Sequence, residues 1–476
     1  MAVPTSGATI ETWEGDPITA IADDRPTLNT PIACPEPNLD VPGLPVGVGG
    51  PRPPAEPYKV GTEEFRYWVL AEAMARGAAF WSGCVPAGTK WQPENGARLI
   101  AEPDAGVDLN AYYDRHGLHF FHDTVRGTSI YSGESPDVVC HELGHAVLDA
   151  VKPQLWDATS IEAAAFHESF GDMSAILSAL QLPGVRSKVL EETGGLVSTA
   201  SSVSRLAEGL GWAIRQLIPD SGDLGCLRSA VNSFYYQAPA TLPPRAPATS
   251  LSSEPHNFSR IFTAGFFRML GGMFSLQPTH DSAALLKASQ DAGKLLIEGV
   301  RRAPVVTGFY AQVSANMLFA DQELFQGRYR RAIRSGFVST GVLSVVSAAS
   351  VDPTVRFAAL PGFDDLNESA ELPVLPLPGA AYGLSADLLV HAATQPRRVG
   401  AASGLPDSGN SQPPSADKAA DSFVEDLIRR GRIAADEAVV GEAPIVAGSY
   451  TTHQILPEDG ALALTRTRFD CGFGGH

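Results

Sequence analysis

The sequence predicts an α+β protein of two lobes, the first containing strands and the second mostly helical. Two patterns indicate this class. Between residues 98 and 131, short apolar segments separated by Gly106, Gly117 and Gly127 are typical of strands and turns. From Asp137 to about residue 343, apolar residues recur near the helical period of about 3.6 residues. The chain has 476 residues, 44% of them hydrophobic, and is therefore long enough to bury a core in both lobes.

The chain divides into five predicted segments, and composition sets most of the boundaries. The stretch from Met1 to Val60 holds 12 of the 37 prolines, and proline removes a backbone donor and disrupts helices. Residues 350–420 are rich in Pro, Gly, Ser and Ala, which is typical of a poorly ordered linker. The predicted segments are a proline-rich extended arm or short pro-segment (1–60), a strand-containing lobe (61–136), a helical lobe (137–345), a low-complexity linker (346–420), and a short C-terminal helix with a strand tail (421–476).

The first helix of the helical lobe has clear boundary signals. Ser135 offers a capping hydroxyl, Pro136 suits the first helical position, and Asp137 puts an acid in the first turn. This helix should end by Lys152, because Pro153 disfavours a helical residue before it. The remaining elements follow from apolar periodicity and turn residues. Helices are predicted at 63–81, 161–180, 203–217, 258–274, 282–300, 313–326, 326–340 and 422–431, and strands at 99–101, 110–113, 118–121 and 461–469.

The composition argues against several classes of partner. Acidic residues outnumber basic ones by 53 to 35, and the formal charge of −18 disfavours DNA, RNA and anionic membranes. No apolar run reaches the ~18–20 residues that a membrane-spanning helix needs. Five widely spread cysteines without a C-x-x-C pair predict neither a disulfide framework nor a zinc finger.

The stretch from Met1 to Asp23 carries acids and prolines where a signal peptide has a basic start and an apolar stretch. The sequence therefore predicts no classical signal peptide. We expect a protein that is cytoplasmic or exported by a non-classical route, and we expect it to be monomeric.

The segment His141-Glu142-Leu143-Gly144-His145 lies on the helix that should begin at Pro136. Two histidines at positions i and i+4 share one helix face, with Cβ atoms about 5–6 Å apart. Both imidazoles can then bind one Zn²⁺ ion, and Glu142 would lie beside the coordination position that a water takes. The pattern therefore predicts a catalytic zinc site.

A catalytic zinc site needs a third protein ligand. A third histidine six residues after His145 is excluded, because Val151 stands there and Leu148 takes the position of the accompanying glycine. The ligand should therefore come from the following helix, where the candidates are Glu162, His167 and Glu168.

Glu168 is the preferred candidate, because Asp172 lies one turn further along the same helix face. One carboxylate can then bind the metal while the other accepts a hydrogen bond from a ligating imidazole and fixes its tautomer. His167 lies about 100° further round the helix and should face elsewhere.

With these residues together, the sequence resembles the thermolysin-like (gluzincin) zinc metallopeptidases, whose signature is HExxH followed by a downstream ExxxD helix. HELGHAVLD (141–149) and HESFGD (167–172) match that signature. The similarity extends to Leu-Asn-Ala-Tyr-Tyr (109–113), Leu-Arg-Ser (227–229) and His-Asn-Phe-Ser (256–259), and it covers about residues 65–345. It implies the two-lobed fold of that family, with zinc in the cleft between the lobes.

The resemblance implies roles for five substrate-binding residues. Asn110 and Ala111 would lie on an exposed edge strand and pair with an extended peptide. Arg228 would hold a carbonyl of the substrate. Val138 and Leu227 would line the pocket for the side chain after the scissile bond, which favours a bulky apolar residue there.

Catalysis, by the same resemblance, would use Glu142 as the general base and His256 as a hydrogen-bond donor to the developing oxyanion. Two departures from the family pattern concern this machinery. Trp156 stands where the family commonly has an oxyanion-donating tyrosine, and its indole N–H has a different geometry. The acidic partner of the catalytic histidine is absent at the family spacing, where Leu251 stands, and Glu254 is only a candidate.

Further metal sites are not expected. Asp137 resembles the first calcium ligand of the family, but Ala179 stands where the next carboxylate should be, so the double calcium site is predicted to be absent. His116, His119 and His122 would point to alternating faces of a strand, which disfavours a second metal site there.

We therefore expect a zinc-dependent endopeptidase with one catalytic Zn²⁺ ion, acting on a peptide or protein. Two alternatives stay open: a zinc hydrolase of a small amide, and a non-catalytic peptide-binding module on the same scaffold. Trp156 and the missing acid near His256 favour the binding module. Cys471 could cap the zinc as an inhibitory thiolate, although a lone cysteine in a tail is more often incidental.

Overall fold

A computed structural model of the protein describes residues 7–19, 26–351, 371–392, 414–435, 439, 445, 448 and 450–470. This part of the chain is a mixed α+β structure. The helices are α1 (Glu63–Ser82), α2 (Pro136–Val151), α3 (Gln154–Asp157), α4 (Ile161–Ala179), α5 (Pro183–Thr193), α6 (Glu208–Leu217), α7 (Pro255–Ser275), α8 (Ser282–Arg302), α9 (Phe309–Phe325), α10 (Arg330–Ser339), α11 (Val345–Ser350) and α12 (Ala416–Arg429).

The strands are short and are distributed over several small sheets. They are β1 (Thr9–Thr12), β2 (Ile18–Thr19), β3 (Thr27–Leu28), β4 (Ile32–Pro35), β5 (Val46–Val48), β6 (Leu99–Glu102), β7 (Ala111–Tyr113), β8 (Leu118–Phe120), β9 (His122–Val125), β10 (Thr128–Tyr131), β11 (Arg205–Leu206), β12 (Arg228–Ser229), β13 (Val374–Leu377), β14 (Leu388–His391), β15 (Ile433–Ala435), β16 (His453–Glu458), β17 (Ala461–Arg466) and β18 (Phe469–Asp470).

Helices α2 and α4 pack against each other at the centre of the fold, and both begin where the sequence predicts. Ser135 caps α2 by accepting a hydrogen bond from the amide of Val138 at 3.4 Å. Ser160 caps α4 in the same way through the amide of Ala163 at 3.2 Å. Local capping therefore sets the start of each helix that carries the candidate metal ligands.

The close approach of α2 and α4 depends on glycines at their contact. A Cβ atom on Gly144 would lie 2.8 Å from the Cβ of Ser174, and one on Gly171 would lie 2.5 Å from the His141 ring. Contacts this short do not occur in close-packed interiors, so a side chain at either position must push the helices apart or displace the imidazole. The absence of these two side chains allows the rings on α2 to lie against α4.

One five-stranded sheet has the strand order β18-β7-β8-β6-β5. Strand β5 belongs to the proline-rich arm and pairs in parallel with β6, which in turn pairs in parallel with β8. Strand β7 pairs antiparallel with β8 on one side and with β18 on the other. The arm thus supplies one edge of this sheet, and the last described residues of the chain supply the other.

A second five-stranded sheet, in the order β13-β14-β17-β16-β15, is built from the C-terminal part of the chain. Strands β13 and β14 lie in the segment 346–420, so the predicted linker is wrong for residues 374–391. Composition misled the prediction there, because an edge strand such as β13 tolerates Pro376, while Leu388 and Val390 alternate into the core. The segment 421–476 likewise contributes several strands, where one strand was predicted.

Two helix predictions also need correction. The helix predicted at 203–217 begins only at Glu208, because residues 205–206 form β11 and pair with β12. This pairing partner lies well outside the segment, so the local pattern gave no sign of it. Helix α5 was not predicted, since Val185 and Val189 are its only buried apolar residues and give little helical periodicity.

Three acidic side chains meet near the start of α2. Asp16 accepts a hydrogen bond from the Ser135 hydroxyl at 2.8 Å, and Asp137, Ala179 and Glu208 line the same cavity as Asp16. Burial raises the pKa of Asp16 to about 6 and that of Glu208 to about 7. Burial, together with these two acids, raises the pKa of Asp137 to about 8. The arm and α6 therefore bring Asp16 and Glu208 close to Asp137. The sequence analysis considered only Ala179 as the neighbour of Asp137 and did not predict these two acids.

The substitution Gly171→Ala tests the helix contact. We expect it to lower the free energy of unfolding by about 1–3 kcal/mol, because the added methyl group overlaps the His141 ring. Chemical denaturation measures this change. Gly15→Ala is the control, since its Cβ would meet open space. Equal stability of both variants and the wild type would contradict the close contact.

Candidate metal centre

Three buried side chains from α2 and α4 form a group that could hold a metal ion. His141 and His145 lie one turn apart on α2, and Glu168 faces them from α4. His141 Nε2 is 3.3 Å from Glu168 Oε2, and His145 Nε2 is 3.8 Å from Glu168 Oε1. One potential ligand atom of each residue lies within 4.8 Å of the others, and no other group of three such residues occurs in the described part of the chain.

The charge states of His145 and Glu168 suit a cation. Burial lowers the pKa of His145 to about 3, so this imidazole is neutral at pH 7 and can ligate a metal. Burial alone would raise the pKa of Glu168, but His256 and His145 outweigh it and hold that pKa well below its usual range. Glu168 is therefore an ionised carboxylate in a site with little solvent.

The hydrogen bonding of the group also fits a metal site. Within the described residues, His141 Nε2, His145 Nε2 and Glu168 Oε2 are buried, and the two nitrogens face the Glu168 carboxylate at 3.3 and 3.8 Å without a hydrogen bond of normal geometry. Buried polar atoms without a well-formed hydrogen bond are rare in folded proteins, since each costs about 1–3 kcal/mol. Two imidazole nitrogens and one carboxylate oxygen are donors that Zn²⁺ accepts, so the residues present fit the predicted ion.

Asp172 lies where the sequence predicts a partner for a ligating imidazole. Its Oδ1 is 3.1 Å from His141 Nδ1, on the side of the ring opposite to Glu168. Arg228, on β12, donates a hydrogen bond to the same Asp172 oxygen through Nη2 at 2.9 Å. This pair holds the carboxylate in place beside His141. The contact of Arg228 with a substrate stays a prediction.

His256 lies at the start of α7 and contacts the same Glu168 oxygen as His141. Its Nε2 is 3.1 Å from Glu168 Oε2, and its Nδ1 is 2.8 Å from Glu254 Oε1. Glu254 also caps α7 by accepting a hydrogen bond from the amide of Asn257 at 2.8 Å. Burial would lower the pKa of His256, but Glu168 and Glu254 raise it to about 10. Glu254, which the sequence offered only as a candidate, is thus the acidic partner of His256.

Glu142 is fully buried on α2, between the two histidines in sequence. Its role as a general base stays a prediction. Val138 and Leu227 line one cavity together with His141, Asp172 and Arg228. The structure therefore brings the two residues of the predicted apolar pocket together beside a candidate ligand.

The two remaining ligand candidates on α4 lie outside the metal group. Glu162 Oε1 accepts a hydrogen bond from the Tyr236 hydroxyl at 2.5 Å, and Oε2 accepts one from the amide of Tyr310 at 2.9 Å. His167 was expected to face elsewhere, but its ring centroid lies 5.6 Å from that of His145 and 3.7 Å from that of Phe469. Phe469 reaches the site because the C-terminal strand packs over it, whereas His167 is carried there by α4.

The predicted exposed edge strand is not exposed. Strand β7 is covered by β18, Ala111 is fully buried, and Asn110 is 2% exposed and precedes the strand. The Asn110 side chain accepts a hydrogen bond from the amide of Ala111 at 2.8 Å. The prediction of an exposed edge was wrong because β7 pairs with β18, a strand far away in the sequence, and no local pattern indicates such a pairing. The predicted pairing of this edge with a substrate therefore requires β18 to leave.

Trp156 contributes to the same covering layer. Its ring packs edge-on against Tyr113 and Phe469, with centroid distances of 5.8 and 5.4 Å, and the Arg115 guanidinium lies 4.4 Å from the ring. Sequence reasoning missed Phe469 as a residue of the site. Its only signal was an aromatic residue in an arginine-rich tail, and Cys471 lies outside the described residues.

The surface histidines pair with acids at the rim of the first sheet. His119 Nδ1 is 3.0 Å from Glu102 Oε2, and His122 Nδ1 is 2.7 Å from Asp104 Oδ1. These separate pairs account for both side chains.

No family model matches the chain, and no curated protein matches it either. Among the helices that the structure describes, none has both the length and the apolar content of a membrane span. The class of the protein must therefore be argued from the metal centre itself.

The substitution Glu162→Gln tests the titration of a buried acid on α4, the helix that also carries Glu168. Burial raises the pKa of Glu162 from 4.5 to about 7, so the folded state binds the proton more tightly than the unfolded state. The resulting stability is present at low pH and is lost as the pH rises from about 4.5 to 7, by up to about 3 kcal/mol.

Glutamine resembles the protonated acid, because its oxygen can accept from the Tyr310 amide while its NH₂ group donates to Tyr236. Chemical denaturation between pH 4.5 and 8 should therefore show a flatter loss of stability in Glu162→Gln. Glu191→Gln, at an exposed position on α5, is the control and should follow the wild type. The same slope in all three proteins would contradict the buried titration.

Proposed function

We propose that the protein is a zinc-dependent endopeptidase of the thermolysin-like type. The observation that carries the proposal is the buried group of His141, His145 and Glu168, whose ligand atoms converge to within 4.8 Å. The neighbouring contacts of His141 with Asp172 and of His256 with Glu254 support it further. The group lies between the sheet β18-β7-β8-β6-β5 and helices α2, α4 and α7, and this arrangement is consistent with a two-lobed fold.

Zn²⁺, when bound to these three residues, supplies a Lewis acid that polarises a carbonyl and lowers the pKa of a bound water to about 7. Glu142 would act as general base, taking a proton from the water as its oxygen bonds to the carbonyl carbon, and would return the proton to the amine as the C–N bond breaks. His256, held by Glu254, would donate a hydrogen bond from Nε2 to the oxygen that becomes negative.

Substrate recognition follows from the pocket and the strand. Val138 and Leu227 line a small cavity next to His141. By the family resemblance, this cavity would receive the side chain after the scissile bond, for which a bulky apolar residue is expected. Strand β7 offers backbone groups for an extended peptide once β18 is displaced. The substrate is therefore a peptide or protein. The Trp156 ring packs against Arg115 and Phe469. Because Trp156 stands where the family has its oxyanion-donating tyrosine, we expect turnover to be slow.

Zinc content and hydrolysis together test the proposal. We expect one zinc ion per chain in the wild type and in Glu142→Gln, because Glu142 is not a ligand. Hydrolysis of a fluorogenic peptide should fall at least about 10²-fold in Glu142→Gln, because the general base is lost. The double substitution His145→Ala and Glu168→Ala should remove the zinc.

Glu64→Gln, on the exposed side of α1, is the matched control and should retain both properties. A wild-type chain that binds no zinc would contradict the proposal, as would equal hydrolysis by the wild type and Glu142→Gln. Bound zinc and tight peptide binding without turnover in any variant would instead identify a binding module.

A further inference from the structure

The C-terminal strand β18 occupies the edge of the first sheet that faces the metal centre. It runs antiparallel to β7, with Phe469 opposite Tyr113 and Asp470 opposite Tyr112. An extended segment that adds to a sheet edge binds as peptide ligands commonly do, through main-chain hydrogen bonds and side-chain pockets. The chain's own residues therefore take the place of an external peptide.

The side chain of Phe469 fills the space next to the candidate ligands. Its ring is 2% exposed and stacks on His167 at 3.7 Å and on His145 at 5.0 Å between centroids. The Arg466 guanidinium covers the same ring at 4.2 Å and donates a hydrogen bond from Nε to the Trp156 carbonyl at 2.8 Å. Phe469 therefore acts as an aromatic anchor in a pocket whose wall includes the ring of His145, a candidate metal ligand.

Charged groups hold the strand beside this pocket. Asp470 is buried, and its Oδ2 lies 2.9 Å from Arg468 Nη2 and 3.8 Å from Arg432 Nη1. The Arg468 guanidinium also lies 4.7 Å from the ring of Tyr112 on β7. The strand is thus attached through its two-residue pairing with β7, one aromatic ring and a few charged contacts, which is a modest interface.

The covered state leaves one polar side chain without partners. His167 is fully buried beneath Phe469, and both of its ring nitrogens lack a hydrogen-bond partner among the described residues. Burying such a group unpaired is unfavourable, and water would hydrogen-bond it if Phe469 moved away. This cost lowers the free energy that is needed to release the strand.

We propose that residues 468–470 are an internal peptide ligand of the metal centre, so that the intact chain is self-inhibited. The proposal rests on the proposed peptidase function. The pocket formed by His145, Trp156 and His167 accepts an aromatic side chain, and Phe469 fills it in the covered state. Substrate and solvent reach the metal only in the fraction of molecules in which β18 has left β7.

Access to the metal tests the proposal without relying on catalysis. The full-length wild type, Phe469→Ala and Arg468→Ala are loaded with zinc, and release is followed with an excess of a coloured chelator. We expect release at least about tenfold faster in Phe469→Ala, since loss of a buried aromatic side chain far exceeds the energy of a tenfold change in an equilibrium constant. Arg468→Ala should change the rate in the same direction. Leu456→Ala, on the exposed side of β16, is the control and should match the wild type.

Zinc uptake separates an open cleft from a damaged site. If β18 blocks the cleft, Phe469→Ala should speed uptake and release alike, because entry and exit use the same opening. Faster release without faster uptake would mean only that His145 has lost support, and it would overturn the proposal. Hydrogen exchange should show β7 amides less protected in Phe469→Ala while α2 amides stay protected, which verifies that the variant is folded.

Hydrolysis then links the strand to activity. Phe469→Ala should cleave a fluorogenic peptide at least about tenfold faster than the wild type, in proportion to the larger open fraction, and Phe469→Ala combined with Glu142→Gln should not cleave it. If Phe469→Ala and Arg468→Ala bind zinc but show the wild-type rates of zinc uptake, zinc release and hydrolysis, the proposal of an internal ligand is overturned. The proposed function would then remain intact. A chain that binds no zinc would overturn the proposed function itself.

Discussion

The contact between α2 and α4 is the constraint on which the site depends. Gly144 and Gly171 let the two helices approach until the His141 ring meets the backbone of α4. At that distance Glu168 Oε2 lies 3.3 Å from one imidazole, and the three candidate ligands converge without a loop to position them. Ligands held by packed helices keep their geometry because neither element can move alone.

Burial makes the charges around this contact interdependent. Glu168 is ionised among histidines, Asp172 is paired with Arg228, and Glu254 is paired with His256. A buried charge is stable only with a partner, so each of these groups requires its neighbour. Arg430 extends the network, with Nη1 3.5 Å from Glu254 Oε1, and thereby connects α12 to the side chain that orients His256. The C-terminal part of the chain therefore contacts the site both through β18 and through this arginine.

The sequence could predict those parts of the site that are local. The starts of α2 and α4 follow from Ser135 and from periodicity, and helical spacing alone brings His141, His145 and the Glu168–Asp172 pair to their faces. The pairing of β18 with β7 could not be predicted, because it joins two short strands from distant parts of the chain and leaves no mark on the local pattern of either. Composition failed for β13 and β14, where Pro376 sits on an edge strand. The role of Phe469 depends on the long-range pairing of β18 with β7.

The most direct test of the account is anomalous scattering at the zinc absorption edge from crystals of the zinc-loaded, full-length protein. We predict one strong peak within about 2.0–2.2 Å of an imidazole nitrogen of His141, an imidazole nitrogen of His145 and a carboxylate oxygen of Glu168. A peak at another group of residues, or no peak in crystals grown with excess zinc, would contradict the convergence of these three side chains on one ion.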